Sequence, residues 1–426
     1  MDNPIKLHAE LPGPETRLLG APAAGLDRAI KHLETFFRLL GFYQHPLPRL
    51  LFSWALFLLL GVSVPLVNFL LSSCSSGAGA GGWSPIVEFD ACVMASQASL
   101  AAVSLLCVSH NLRKYGVRKL LFVGKCYEGL DGLHGQYVDR IKVFFRAFFW
   151  VLPGFITKTA REIICIFYVH HESQWQSVAM LLASVLSWTY LTVMFLSGCN
   201  LFSLACNLQV IHFEQYGQLL QNDTEVSLLL EEHTSLCYYL SKISHRFRIH
   251  LLLVFFICVT SQFITLLLTT QYGTIVDFIN AGDFAVCAAI QVIGIVICLN
   301  AATRISHRAQ SLASLASRWH VLATCRSSND SEKIVNVNCK LDISSVNQAT
   351  TDHPGEGIKS SDIAMQGKEK FLTFASLQYQ RQALVMYLQS NNNGITIYGW
   401  AVDRGLINTI FAIELSLLLF VFGRTL

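Results

Sequence analysis

The chain has 426 residues, of which 53% are hydrophobic and only 14% charged. That balance excludes an ordinary water-soluble domain, because too little polar surface remains to cover so much apolar matter. The formal net charge of +3 is explained by where the basic residues fall between apolar segments, so nucleic-acid binding has no support.

Residues 1–49 contain Pro12, Pro14, Glu15, Pro22 and Asp27 before any apolar run. No cleavable signal peptide is expected, and the reading is an N-terminal tail with the first span as its own insertion signal. Seven apolar stretches follow, at roughly residues 50–71, 85–108, 143–168, 177–203, 250–272, 284–301 and 395–422, several reaching the roughly 20 residues that cross a bilayer as a helix. The tail carries six Lys/Arg, the connection 109–142 seven, 204–249 three and 302–394 ten, whereas 72–84, 169–176 and 273–283 carry none. Basic connections stay on the cytoplasmic side. The expectation is therefore an all-α, multi-pass integral membrane protein with seven transmembrane helices, a cytoplasmic N-terminus and an extracellular or lumenal C-terminus. Strict alternation over about ten residues, the mark of a membrane barrel, is missing.

The thirteen cysteines lie mostly in spans or cytoplasmic connections. Only Cys74 sits clearly outside, which argues against a disulfide framework.

The domain organisation read from the chain is a tail over 1–49 and spans one to six over 50–303. A cytoplasmic helix covers 304–325, a disordered insertion 326–367, the cytoplasmic part of helix seven 368–394 and its membrane part 395–426. Spans four and five predict helices projecting beyond the membrane, since Leu204, Leu208, Ile211, Phe213, Leu219 and Leu220, and then Leu228 to Ile243, hold helical spacing. Span six continues through Ile305, Leu312, Leu315 and Trp319. Together these stretches predict a helical anchor bundle. Residues 326–367 are rich in Ser, Asn and Asp with almost no aromatics, a composition too polar to bury a core. Asn391-Asn392-Asn393-Gly394 breaks the last helix.

Ionisable groups inside a span face a partner, a cavity or a pore. Lys158, Arg161 and Glu162 fall in the outer half of span three, and Glu88 and Asp90 lie at matching depth in span two. Lys158 and Glu162, four apart, share a helix face. These charges read either as an ion-pair network that fixes packing or as the polar floor of a small-molecule pocket walled by Phe149, Trp150 and Trp188. In the last span Asp403 and Glu414 are eleven residues apart and so nearly on one face, with Ser416 about 200° away from Glu414.

An enzyme is not expected. No phosphate-binding Gly loop, metal-ligand spacing or nucleophile motif occurs, and His170-His171-Glu172 is too small a ligand set for a metalloenzyme. No cofactor is expected.

The stretch Gly394-Ile395-Thr396-Ile397-Tyr398-Gly399-Trp400-Ala401-Val402-Asp403-Arg404, with Leu406 to Phe411 and Ile413-Glu414-Leu415-Ser416-Leu417, resembles the plant gustatory-receptor-like family, itself similar to insect gustatory and odorant receptors. The resemblance implies a homotetramer whose cytoplasmic helices form a central anchor and whose seventh helices line a cation pore. Insect members carry Thr-Tyr, five hydrophobic residues and Gln-Phe there. This chain has Thr409-Ile410, then Phe411 to Leu415 interrupted by Glu414, then Ser416-Leu417. The resemblance implies a pore lined by Thr409, Ser416, Leu417 and Phe420, the alternative face being that of Glu414. The function expected is a homotetrameric ligand-gated cation channel or chemoreceptor for a small molecule. The alternative is a non-conducting receptor or scaffold of the same fold signalling through its cytoplasmic bundle. The expected partners are the lipid bilayer, further copies of the chain and a small-molecule ligand, with the plasma membrane preferred over an internal one.

Overall fold

The computed structural model describes residues 14–44, 47–75, 85–122, 133–168, 174–222, 225–271, 278–346, 376–391 and 394–401, and, in the last helix, residues 405, 408–410, 412, 413 and 416. These residues are almost wholly α-helical. The helices are α1 (Pro14–Leu39), α2 (Leu47–Phe57), α3 (Val64–Ser75), α4 (Pro85–Leu120), α5 (Leu133–Arg146), α6 (Val151–Tyr168), α7 (Gln174–Gln221), α8 (Val226–Gln271) and α9 (Phe278–Val346), followed by α10 over 376–390. Among the described residues six stretches are long and apolar enough to cross a membrane. They lie in α2–α3, α4, α5–α6, α7, α8 and α9; half of the seventh expected segment, 395–422, falls outside the described residues.

The chain divides into two compact units. The first comprises residues 1–208, 242–304 and 395–426. Its α1 is the part least expected from a tail: Leu26, Ile30, Leu33 and Phe37 are fully buried at helical spacing. They pack α1 against α5, where Phe36 meets the rings of Phe144, Phe145 and Phe148 at 5.3–5.8 Å between centroids. The helix stops in a Schellman motif. Phe42 N–H bonds to Phe37 O at 3.0 Å, Gly41 N–H bonds to Arg38 O at 3.1 Å, and the rings of Phe37 and Phe42 sit 5.6 Å apart. Gly41 has φ +82, and the Ser53 hydroxyl donates to its carbonyl at 2.6 Å.

The first apolar segment is one rod with a wide turn in it. Between α2 and α3, Leu58–Ser63 is π-helical and Val64 N–H bonds to Leu59 O. Pro65, without an N–H, makes an ordinary α ladder impossible here. The shift leaves Leu60 O without its usual donor, and the Ser187 hydroxyl of α7 supplies one at 2.5 Å. Span three is likewise interrupted, by a 3-10 turn over Ala147–Trp150 between α5 and α6. Pro153 follows in the first turn of α6, where a missing N–H costs little.

Small residues set the helix approaches of this unit, as usual for helices that pack without a hydrophobic driving force between them. A Cβ on Gly294 of α9 would lie 2.4 Å from Phe195 Cζ of α7, and one on Gly198 of α7 would lie 2.8 Å from His250 Cε1 of α8 and 2.9 Å from Ser104 Oγ of α4. Polar side chains add bonds between α4 and α9: Gln291 Nε2 to Ser96 Oγ at 3.1 Å and Gln97 Nε2 to Cys287 Sγ at 2.7 Å.

The second unit comprises residues 209–241 and 305–394. Among its buried positions are Gln209, Phe213, Tyr216 and Leu220 on α7, Leu229, His233, Leu236 and Leu240 on α8, and Ile305, Ala309, Leu312, Ala316 and Trp319 on α9. The steps of three and four residues between these are those of coiled-coil packing. From α10 come Leu384, Val385 and Leu388. His233 is enclosed by the rings of Tyr216 at 5.7 Å and Tyr387 at 5.5 Å, and Arg381 stacks on Trp319 at 5.3 Å.

One boundary differs from the composition-based expectation. The helix α9 continues through Val346, into the segment 326–367 expected to be disordered. No Gly or Pro occurs from residue 295 to residue 353, so nothing in the covalent chain stops a helix. Residues 347–367 lie outside the described ones. The break expected at 391–394 is followed by something not anticipated: Thr396–Ile397 pairs antiparallel with Trp400–Ala401 across Tyr398 (φ 50) and Gly399 (φ 91), a two-residue turn with both central residues left-handed.

Candidate functional site

In the first unit α6 carries two different chemistries on one side. Gly154 is the point of close approach, where an added Cβ would meet Trp188 at 3.1 Å and Ile290 and Val286 at 3.3 Å each. One turn on, Lys158 lies on the same face. Its ammonium is 3.1 Å from Glu162 Oε1 with side chains only 8% and 18% exposed, and the Arg161 guanidinium reaches that oxygen at 3.3 Å. A carboxylate gripped by two cations with little water about it is a fixed electrostatic feature, because each charge would be costly to leave unpaired. Three of the expected pocket residues are therefore brought together. The side chains of Glu88 and Asp90 on α4 lie outside the described ones.

Trp188 is buried on α7, and its indole N–H has no protein acceptor among the described residues; the same holds for the hydroxyls of Thr192, one turn along, and of Tyr190, about 200° around the helix from Trp188. A buried donor without an acceptor is costly, so such groups meet water or a ligand. Phe149 and Trp150, expected as pocket walls, are 72% and 64% exposed. The 3-10 turn at Ala147–Trp150 advances 120° per residue instead of 100° and changes the facing of the aromatic run, which regular-helix counting could not anticipate. Gly154, Tyr190 and Thr192 were not singled out from the sequence. Glycine inside an apolar helix was the available signal for the first.

In the last helix Thr409 and Ser416 are exposed and, seven residues apart, lie on one face. Each returns its hydroxyl hydrogen to its own helix, Thr409 to Gly405 O at 2.9 Å and Ser416 to Ala412 O at 2.7 Å. The other pore candidates, Glu414, Leu417 and Phe420, lie outside the described residues. The hairpin before this helix is held by Thr396 N–H to the Ser244 hydroxyl at 3.4 Å and by Arg248 stacked 5.1 Å from the Tyr398 ring. Among the described residues no three His, Cys, Asp or Glu side chains are grouped to hold a metal ion.

Residues 28–413 match the family described as Protein of unknown function (DUF3537). The chain belongs to that family. No curated protein matches it. Among solved structures it is similar to the insect olfactory receptor OR5 from Machilis hrabei in complex with eugenol, at 13% identity and a TM-score of 0.58, covering 93% of this chain and 98% of that one. The same receptor described without eugenol gives 11% identity and a TM-score of 0.57, covering 92% and 98%. At such identities the likeness is one of fold. This DUF3537 member is thus an all-α, multi-pass helical bundle of the membrane type with the fold of an insect olfactory receptor.

Proposed function

We propose that the chain is a seven-span chemoreceptor, N-terminus cytoplasmic, that assembles as a homotetramer and opens a cation pathway when a small molecule binds. The observation that carries this reading is the fold shared over 93% of the chain with an olfactory receptor solved in complex with eugenol. The ligand would sit beside Trp188, with its indole N–H as a donor and the Lys158, Arg161 and Glu162 cluster as the polar end, joined by Glu88 and Asp90. Exposed apolar side chains of the second unit, Leu228, Tyr238, Val321, Leu322, Tyr379 and Met386, would be covered by neighbouring copies. The face shared by Thr409 and Ser416 would turn to the fourfold axis, with Leu417 and Phe420, leaving Glu414 toward other helices. The wording of residues 394–417 supports placing the chain with the plant gustatory-receptor-like proteins, and we assign it to the plasma membrane.

The test is the purified full chain, sized by light scattering, then reconstituted in planar bilayers under salt gradients with eugenol-like methoxyphenols as first probes. A tetramer passing cations on ligand addition is expected, with Leu417→Ala raising the resting current and Glu414→Gln altering assembly more than selectivity. A selectivity change in Glu414→Gln would instead put the carboxylate ring on the axis. A tetramer silent in wild type and in Leu417→Ala would leave the non-conducting receptor as the account.

A further inference from the structure

The inner end of α4, just past its apolar segment, and the stretch of α8 just before its apolar segment converge in the first unit on a cluster of cations that the ligand site and pore do not use. On α4 it comprises Arg113, Lys114, Arg118 and Lys119, and on α8 Arg246, with Lys242 one turn before it. The convergence is built. Arg246 lays its guanidinium 3.9 Å from the centre of the Tyr115 ring and 5.0 Å from that of Phe122. It donates to Lys119 O at 3.3 Å, while Asn111 Nδ2 donates to Arg246 O at 3.2 Å. The Lys114 ammonium lies 5.4 Å from the same Tyr115 ring centre, so two cations share one phenol. Gly116, at φ 70 and ψ 163, breaks α4 here and turns the 117–121 segment so that the Lys119 carbonyl meets Arg246.

The two stretches carry no acidic residues of their own: no Asp or Glu occurs from residue 91 to 127 or from 233 to 276. Asp27 of α1 pairs with Arg118 at 3.0 Å. Arg113, Lys114 and Lys119 are exposed. A cationic cluster bordering two apolar helix segments lies where phospholipid headgroups lie, and anionic headgroups complement its charge.

We infer that this cluster is a binding site for the phosphate of an anionic phospholipid, with Arg113, Lys114 and Lys119 as its reaching cations and Arg246 as the stacked post that holds α4 and α8 together beneath them. It depends on the two helices being membrane spans, and not on the ligand-gating reading.

Detergent-purified full chain is titrated with dioctanoyl phosphatidylserine, dioctanoyl phosphatidylinositol 4,5-bisphosphate and dioctanoyl phosphatidylcholine, and bound lipid is counted by native mass spectrometry. Both anionic lipids should bind, the bisphosphate more tightly, and phosphatidylcholine should not. The exposed triple variant Arg113→Gln/Lys114→Gln/Lys119→Gln should weaken anionic-lipid binding by about a hundredfold at low salt, at about fivefold for each cation near a headgroup. Arg140→Gln/Lys142→Gln, on α5, should leave it unchanged. A melting temperature unchanged in the triple variant excludes misfolding as the cause; should it fall, the single Lys119→Gln, expected to lose about fivefold, decides. Equal binding of phosphatidylcholine, wild-type affinity in the folded variants, or an equal loss in the α5 control would overturn the proposal. So would inositol trisphosphate binding as tightly as the bisphosphate lipid, which would make the occupant a soluble phosphate.

Discussion

Helices α7, α8 and α9 each contribute to both units, yet they pack by different rules in each. In the first unit close approach depends on missing side chains, at Gly154, Gly198 and Gly294, and the exposed positions are apolar, among them Leu182, Leu186, Leu252 and Phe256. In the second, larger side chains step at three and four residues and charges on the outside pair in water, as Arg308 does with Glu214 at 3.1 Å with 54% and 38% exposure. Lipid gives helices no reason to associate through apolar area, so shape and buried polar contacts must do it. Water supplies that reason, and leucine spacing suffices.

The sharpest break of this contrast is Gly294→Val. With a Cβ placed 2.4 Å from Phe195 Cζ, the variant should lose about 3 kcal/mol or more and fail to give a monodisperse peak in detergent. Gly217→Ala in the second unit meets only Leu315 Cδ2, at 3.2 Å, and should change the melting temperature little. Next comes the pair comparison. Glu162→Gln takes from Lys158 and Arg161 the carboxylate they share in a nearly dry site and should cost about 3 kcal/mol, whereas Arg308→Met should cost less than about 1 kcal/mol. Equal losses in the two melts would show that burial does not separate them. Gly41→Ala must accept φ +82 and a contact of 2.9 Å with Ser53 Oγ, for about 1–2 kcal/mol, read as protease sensitivity of α1. The smallest effect is expected for Ser187→Ala, which strips the donor from Leu60 O and should lower stability by about 1 kcal/mol.

What could be read from the chain follows the same division. Apolar length located the described membrane helices, and the spacing of Leu204 to Leu220 and of Ile305 to Trp319 disclosed helices continuing past them, because periodicity is local. The Lys158–Glu162 pair was legible for that reason too, being four apart on one helix. The burial of Trp188 against Gly154 was not, since it depends on which helices become neighbours. Nor was the cap at Gly41, whose value lies in contacts with Phe37 and Ser53. Residues 326–346 continue a helix although their composition is polar: polar side chains argue against a buried core but do not forbid a helix, and no Gly or Pro there interrupts one. The Tyr398-Gly399 turn escaped because it lacks the Asn or Asp that usually announces two left-handed residues.

The π-helical turn at Leu58–Ser63 amounts to one residue more than a regular rod would carry over that length. The extra residue is taken up within the turn, so Ser53 and Phe57 before it keep their buried facing. A one-residue deletion inside the turn should therefore leave the Ser53 bond to Gly41 O intact, at the cost of asking for a ladder that Pro65, without an N–H, does not complete. The same deletion in the regular helix over 54–56 would turn Ser53 by about 100° and draw it along the axis by about 1.5 Å, parting the bond that seals the end of α1.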